Sequence, residues 1–253
     1  MPNHITNLLE FNCSEDRFHE IAEFLQGERK DEPLGVVDFN VLIPMPKPLM
    51  IESGSVGERG YEAYATFIME SDGLPPEEVD ALREKHMAKL DDPEAWDLGE
   101  QYYNNIRNYG AKTWYQWAYA NWGTKWNSYD CEPADIEGKT LCFHTAWECV
   151  PRIVKRIAER FPDADIIYSW ADEDIGSNVG ILVYEGGRET GSVLPENGSR
   201  QAYELAAQIM GLDLKEMGFV LSKDGSTYEF DMEASEIPVE EHLTPLGRRT
   251  LTE

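Results

Sequence analysis

The sequence predicts an α+β fold, a ferredoxin-like antiparallel sheet with helices on one face and an inserted helical subdomain. Two observations lead to this prediction. Strand-like and helix-like segments alternate near both ends of the chain, and an aromatic-rich block with helical spacing separates them. The predicted boundaries are residues 1–52 and 131–212 for the α+β core, 53–130 for the helical insertion, and 213–253 for an acidic C-terminal extension.

The first region reads as strand, helix, strand. HITNLLEF at residues 4–11 is rich in apolar and β-branched residues, which favours a strand. Ser14 is a typical helix N-cap, and apolar residues follow it at helical spacing until Gly27. VVDFNVLI at residues 36–43 predicts a second strand, which the proline-rich run at 44–48 ends.

The middle of the chain has helical rather than strand-like spacing. SGSVGERG at residues 53–60 predicts a flexible loop because of its glycines and serines. Helices are expected over residues 61–70, 76–90 and about 99–120. This block therefore forms the predicted insertion and carries most of the aromatic residues.

The strand and helix pattern returns after Gly138. Strands are predicted over 139–147, 165–170, 178–184 and 189–194, and helices over 151–161 and 199–210. Residues 185–188, EGGR, predict a hairpin turn. From Tyr228 onward the chain is acidic, and we expect its last residues to be loosely held.

Net charge is the outlying property of the composition. The 253 residues include 48 acidic and 22 basic side chains, giving a formal net charge of −26. Such a surface repels phosphates of nucleic acids and anionic membranes, so neither is an expected direct partner. It suits a basic host protein as partner, although acidity also serves solubility alone. The oligomeric state does not follow from the sequence.

Several features predict a cytoplasmic location in a host cell. No apolar run reaches the roughly 20 residues that span a bilayer, and the N-terminus has no basic region typical of a signal peptide. The cysteines are far apart and form no C-x-x-C pair: Cys13, Cys131, Cys142 and Cys149. We expect reduced thiols rather than disulfides.

No motif predicts an enzyme or a cofactor. The sequence lacks the phosphate-binding, dinucleotide-binding, zinc-protease and serine-hydrolase motifs, and its five histidines have no metal-ligand spacing. Asp172, Glu173 and Asp174 follow a predicted strand and could bind a divalent metal, but such acids more often form a solvated turn. His144 lies inside a predicted strand, where a packing role is more common than catalysis.

The aromatic block is the strongest candidate for function. Part of it fits core packing, because Trp114 and Trp117 have helical spacing. Packing does not explain Lys125, which lies between two tryptophans and near two asparagines in NWGTKWN. Flat rings that stack a base, a cation for a phosphate and amides for base edges would form a nucleotide site. The candidate ligand-binding residues are Trp122, Thr124, Lys125, Trp126, Asn127, His144, Trp147 and Trp170.

The order of several segments resembles the YubB-like family of phage and conjugative-plasmid proteins. These segments are HITNLLEF, FNVLIPMP, WGTKWN, FHTAW, RFPDADI and IIYSWADED, within roughly residues 1–185. WGTKWN at 122–127 and TAW at 145–147 are the most specific matches. The resemblance implies a ferredoxin-like domain with a helical insertion and implies no activity.

Three functional hypotheses follow. The first is an accessory counter-defence protein of a mobile element that binds and sequesters a small nucleotide-like ligand. The second is an acidic inhibitor that mimics nucleic acid and binds a host defence or DNA-binding protein. The third is a metal-dependent hydrolase that uses Asp172, Glu173 and His144.

Overall fold

The computed structural model describes residues 3–231 and divides the chain into two compact units. The sheet unit comprises Met1–Leu42 and Trp126–Glu253, and the helical unit comprises Ile43–Lys125. In the sheet unit, helices pack against a β-sheet. In the helical unit, helices pack against one another.

The sheet unit contains all the described strands. They are β1 (His4–Asn12), β2 (Thr140–Ala146), β3 (Asp165–Asp172), β4 (Gly180–Glu185), β5 (Arg188–Val193), β6 (Phe219–Leu221) and β7 (Tyr228–Phe230). Its helices are α1 (Glu15–Gln26), α6 (Pro151–Arg160) and α7 (Arg200–Met210). The predicted α+β fold is confirmed, as are the N-cap at Ser14 and the EGGR hairpin between β4 and β5.

The main sheet has five antiparallel strands in the order β2-β1-β3-β4-β5. Both β2 and β3 pair antiparallel with β1, so they run in the same direction on either side of it. Helix α6 connects them, which makes a split β-α-β unit with β1 at its centre. A segment after residue 128 covers the outer edge of β2 through bridges Tyr129↔His144 and Asp135↔Thr140.

The two faces of the sheet pack against different helices. Phe11 of β1 contacts Phe18 of α1, with ring centroids 5.6 Å apart. On the same face, the Tyr168 hydroxyl accepts a hydrogen bond from the backbone N–H of Val150 at the start of α6. Ala171 of β3 points to the opposite face, where it packs in a cluster with residues of α7.

The helical unit contains α2 (Ser55–Glu70), α3 (Pro76–Met87), α4 (Ala95–Tyr109) and α5 (Trp114–Asn121). Helices α2 and α4 approach each other at two glycines. A methyl group on Gly60 would overlap the carbonyl of Ala95, and one on Gly99 would overlap the backbone of Gly60. The glycines of the SGSVGERG segment therefore allow close backbone packing, and the predicted loop at 53–60 is wrong from Ser55 onward.

The predicted strand at residues 36–43 is also wrong. Its apolar residues are buried, but Phe39–Val41 form a short 3-10 helix. The Asp38 carboxylate accepts a hydrogen bond of 2.9 Å from the backbone N–H of Asn40. This local cap competes with the hydrogen bonds that a strand would need.

The predicted helix at 99–120 is two helices. Gly110 ends α4 in the left-handed conformation, at φ 73°. Thr113 then begins α5 with a capping box, in which its side chain and that of Gln116 bond each other's backbone groups. The T-x-x-Q spacing of Thr113 and Gln116 is the feature of the sequence that indicates the start of α5.

The C-terminal part of the described chain holds a small hairpin. Strand β6 pairs with β7, and Tyr203 of α7 contacts the rings of Phe219 and Tyr228. The hairpin lies within the predicted extension at 213–253, and the loosely held end predicted there lies outside the described residues. No helix of residues 3–231 has the length and apolar character required to cross a membrane.

Candidate functional site

The sheet unit carries an open groove beside the WGTKWN motif. It has a volume of about 540 Å³ and is lined by Arg29, Trp126, Asn127, Ser128 and Tyr129. This volume lies within the range of small-molecule sites. The Trp126 side chain is 38% exposed, and its ring meets the edge of Tyr129 with centroids 6.1 Å apart. An accessible indole and phenol therefore form an apolar wall.

Arg29 supplies the positive charge of the groove. Its guanidinium donates two hydrogen bonds to Glu32, of 2.7 and 2.8 Å, and one of 3.3 Å to the carbonyl of Ser128. Hydrogen bonding to Glu32 raises the pKa of Arg29, so the cation is permanent. An anionic ligand would have to share this cation with Glu32, whose side chain is 45% exposed.

Asn127 fixes the shape of the groove. Its side-chain oxygen accepts hydrogen bonds of 2.9 Å from the backbone N–H groups of Phe39 and Ser128. Its amide nitrogen donates to the Asp38 carboxylate at 2.6 Å. Because both the oxygen and the nitrogen of its side-chain amide are hydrogen-bonded, Asn127 holds the backbone between Trp126 and Tyr129 in place.

A second polar group lies next to Tyr129. One nitrogen of His4, one of His144 and one carboxylate oxygen of Asp130 all lie within 4.8 Å of one another. The Tyr129 hydroxyl lies 2.9 Å from Nδ1 of His4 and 3.2 Å from the carbonyl of Thr145, to which it donates. Strand pairing creates this arrangement, since Thr6 pairs with His144 and His4 follows diagonally on the same face.

Burial governs the titration of this group. It lowers the pKa of His144, against the opposing attraction of the Asp130 carboxylate. Burial, together with the carboxylates of Asp130 and Glu173, raises the pKa of Tyr129 to about 12. At neutral pH the phenol is therefore protonated, and the imidazole of His144 is neutral.

Three of the predicted site residues belong to the helical unit. Trp122 is 4% exposed, contacts Trp117 edge to face, and donates its indole N–H to the carbonyl of Ile43 at 2.9 Å. Thr124 is fully buried. The Lys125 ammonium lies 6.0 Å from the centre of the Tyr115 ring. Burial of Trp122 and Thr124 fits packing roles.

Two predicted tryptophans lie elsewhere in the sheet unit. Trp147 follows β2 with a left-handed backbone, φ 66°, and is 37% exposed. Trp170 is 6% exposed and donates its indole N–H to Asn178. Because Trp170 pairs with Asn7 and His144 pairs with Thr6, the two side chains lie on opposite faces of the sheet. The structure does not bring Trp170 and His144 together.

The acids named for a hydrolase do not form a metal group within residues 3–231. Asp172 is buried and accepts hydrogen bonds from the Asn3 side chain and the backbone N–H of Asp174. Burial raises the pKa of this carboxyl group, although both hydrogen bonds oppose the shift. Asp172 therefore has a structural role: its hydrogen bonds hold the backbone where β3 ends.

Sequence reasoning missed Arg29, His4 and Asp130 in this region. Arg29 follows α1 and reaches Ser128, which lies 99 residues later in the chain. His4 and His144 are far apart in sequence, so no ligand spacing could reveal them. The available signal was the pairing of two predicted strands, with a histidine in each.

A family model supports the ferredoxin-like fold. Residues 121–213 match the family model described as the ferredoxin-like domain in Api92-like protein. The crystal structure of protein api92 from Yersinia pseudotuberculosis is similar at 11% identity, covering 78% of this chain and 99% of that chain, with a TM-score of 0.35. No curated protein matches the sequence. The matched region contains WGTKWN and β2 to α7.

Proposed function

We propose that the protein binds a small nucleotide-like ligand in the groove of the sheet unit. In this proposal it is an accessory counter-defence protein of a phage or plasmid, and it sequesters the ligand in the cytoplasm of the host cell. One observation supports the binding role: an exposed indole and a guanidinium line the same open groove of about 540 Å³.

The chemistry of the groove suits a flat anionic molecule. A purine or pyrimidine ring can stack on Trp126, which contributes about 1–3 kcal/mol per base at sites of this kind. The Arg29 guanidinium donates two hydrogen bonds to Glu32, and a phosphate would share this cation with Glu32 or displace it. Asn127 and the Arg29 bond to Ser128 hold the groove in shape before the ligand arrives.

The mobile-element role is supported by the resemblance of WGTKWN and TAW to the YubB-like proteins. A protein that sequesters a ligand needs only a binding site, which the groove would provide. This part of the proposal predicts that expression of the protein lowers the free concentration of its ligand in the host.

A thermal-shift titration with nucleoside monophosphates, diphosphates and triphosphates tests the binding role. The melting temperature should rise with at least one class, because a ligand of the native state stabilises it. Trp126→Leu removes the flat ring, and Arg29→Gln removes the cation, so each should abolish the rise. Tyr109→Leu is the control for the ring, since Tyr109 is also 38% exposed. Arg200→Gln is the control for the cation, since Arg200 also pairs with a glutamate.

The net charge of −26 favours a second candidate, an acidic inhibitor of a basic host protein. Binding to such a protein should weaken steeply as salt is added, and it should be unaffected by Trp126→Leu. A melting temperature that no nucleotide changes, combined with salt-sensitive capture of a basic DNA-binding protein, would favour this candidate over the groove.

A further inference from the structure

His4, Asp130 and His144 converge from three separate parts of the sheet unit. His4 is the first residue of β1, His144 lies within β2, and Asp130 follows the residue that bridges to His144. Backbone hydrogen bonds of 3.1 and 2.9 Å between Tyr129 and His144 hold Asp130 beside the imidazole. Their nearest ligand atoms lie within 4.8 Å of one another.

The Nδ1 atom of His144 is buried and has no hydrogen-bond partner within residues 3–231. Its distance of 3.8 Å to the nearer Asp130 oxygen is too long for a hydrogen bond. A buried polar nitrogen without a partner is rare in folded proteins, and a bound ion is one of the arrangements that satisfies it.

We propose that His4, Asp130 and His144 bind a divalent late transition metal ion, of which Zn²⁺ is the representative. Two imidazole nitrogens and one carboxylate oxygen are ligands that this class of ion prefers. The site goes beyond the proposed nucleotide groove, and its occupancy does not depend on a nucleotide.

The geometry requires only a small adjustment. With metal–ligand distances of about 2.0–2.2 Å, two ligands of a tetrahedral ion lie about 3.3 Å apart. The Asp130 side chain is 69% exposed and can rotate toward the His144 nitrogen, whereas the His144 side chain is 25% exposed and fixed within β2. The Tyr129 hydroxyl at 2.9 Å orients the His4 ring, as outer-shell groups do at metal sites.

Three protein ligands leave one position of a tetrahedral ion for water or another small ligand. The carboxylate neutralises part of the charge of the cation. Calcium and magnesium are disfavoured, because they take six or more oxygen ligands and rarely bind imidazole. The site therefore discriminates between Zn²⁺ and Mg²⁺ by ligand type.

Calorimetric titration of chelator-treated, dialysed protein with Zn²⁺ alone tests the site. The wild type should bind one equivalent, and Mg²⁺ should not compete. Asp130→Asn and His144→Gln should each weaken binding at least about tenfold, the lower end of the losses seen even for outer-shell groups. Asparagine tolerates the left-handed backbone at Asp130, φ 46°, so this variant should fold. His19→Gln changes an exposed histidine of α1 and should bind as the wild type does.

Nuclear magnetic resonance of the histidine rings provides a second measurement on the wild type. Addition of one equivalent of Zn²⁺ should shift the ring signals of His4 and His144 and leave those of His19 and His86 unchanged. Equal Zn²⁺ affinity in the wild type, Asp130→Asn and His144→Gln would overturn the proposal, as would shifts confined to His19 or His86. Neither result bears on nucleotide binding, so the two proposals can fail separately.

Discussion

At the scale of single residues, Tyr168 connects the centre of the sheet to α6. Its hydroxyl donates a hydrogen bond of 2.7 Å to the Asn7 side chain and accepts one of 2.8 Å from the N–H of Val150. Asn7 in turn donates to the Thr145 hydroxyl at 2.9 Å. All these groups are buried, and their polar atoms are satisfied by one another.

The substitution Tyr168→Phe should therefore lower stability. It removes one oxygen atom and leaves the Asn7 oxygen and the Val150 N–H unpaired in the core, at a cost of about 1–3 kcal/mol in the free energy of unfolding. Denaturant unfolding followed by circular dichroism measures this change. Tyr109→Phe, at an exposed tyrosine, should change the free energy by less than about 0.5 kcal/mol. Equal effects of the two variants would contradict the role of Tyr168.

Two tryptophans of one motif have different roles at this scale. Trp122 is packed against Trp117 and is 4% exposed, whereas Trp126 is 38% exposed and lines the groove. Sequence spacing alone treats them alike, because both flank the same three residues. Gly123, which lies between them, has a left-handed backbone with φ 86°, a conformation that favours glycine.

At the scale of secondary-structure elements, the contact between α2 and α4 depends on glycine. Gly60 faces the carbonyl of Ala95 and leaves no space for a methyl group. Gly99 lies opposite, so that the two backbones approach closely. Glycine in a helix is unfavourable by roughly 0.5–1 kcal/mol relative to alanine, and here the close packing offsets that penalty.

The substitution Gly60→Ala should destabilise the helical unit despite the higher helix propensity of alanine. Overlap with Ala95 must push the helices apart, and overpacking of this kind costs about 1–3 kcal/mol. The melting temperature measures the effect. Gly54→Ala is the control, because its backbone is extended and the nearest atom to an added methyl is 3.4 Å away. A Gly60→Ala variant as stable as the wild type would refute the close contact.

Elements with a periodic pattern and a clear cap could be predicted from the sequence, and elements defined by tertiary contacts could not. Ser14 and Gly27 mark the ends of α1 on the chain itself. In the apolar run at 36–43 the Asp38 cap lies inside the run rather than before it, and the hydrogen bond from the Asp38 N–H to the carbonyl of Leu25 helps to hold the run outside the sheet. The start of α2 could not be predicted, because glycine normally indicates a loop, whereas Gly60 allows close packing against α4, which comes later in the chain.

The candidate site was predicted in part for the same reason. Trp126 and Asn127 were identified from their motif, and both line the groove. Arg29 was missed because its contact with Ser128 depends on how α1 lies against a segment that follows almost 100 residues later. Of the metal cluster, only His144 was named from the sequence, since its other members come from different elements.

At the scale of the whole molecule, the excess of acids dominates the electrostatics. The most basic helix face, on α6, is largely paired: Lys155 and Arg156 both contact Glu159, and the Arg160 guanidinium lies over the rings of Phe24 and Phe161. Because the protein has 48 acidic and 22 basic residues, its negative electrostatic field repels the phosphates of nucleic acids.

Direct nucleic acid binding should therefore be absent. In gel-shift experiments at physiological salt, neither single-stranded nor double-stranded DNA or RNA should bind at submicromolar concentrations, because phosphate contacts normally require lysine or arginine. Lowering the salt should not produce binding, since reduced screening strengthens the repulsion between like charges. A stable complex at physiological salt would mean that a local basic surface overcomes the total charge.

The central claim is that the groove around Trp126 and Arg29 holds a small nucleotide-like ligand in the host cell. Native mass spectrometry of protein purified rapidly from host cells tests it most directly, because a sequestering protein carries its ligand with it. The wild type should show an added mass that denaturation releases as a nucleotide, and Trp126→Leu and Arg29→Gln should lack it while Arg200→Gln retains it. Wild-type protein with no added mass, or the same mass in all four proteins, would contradict the claim.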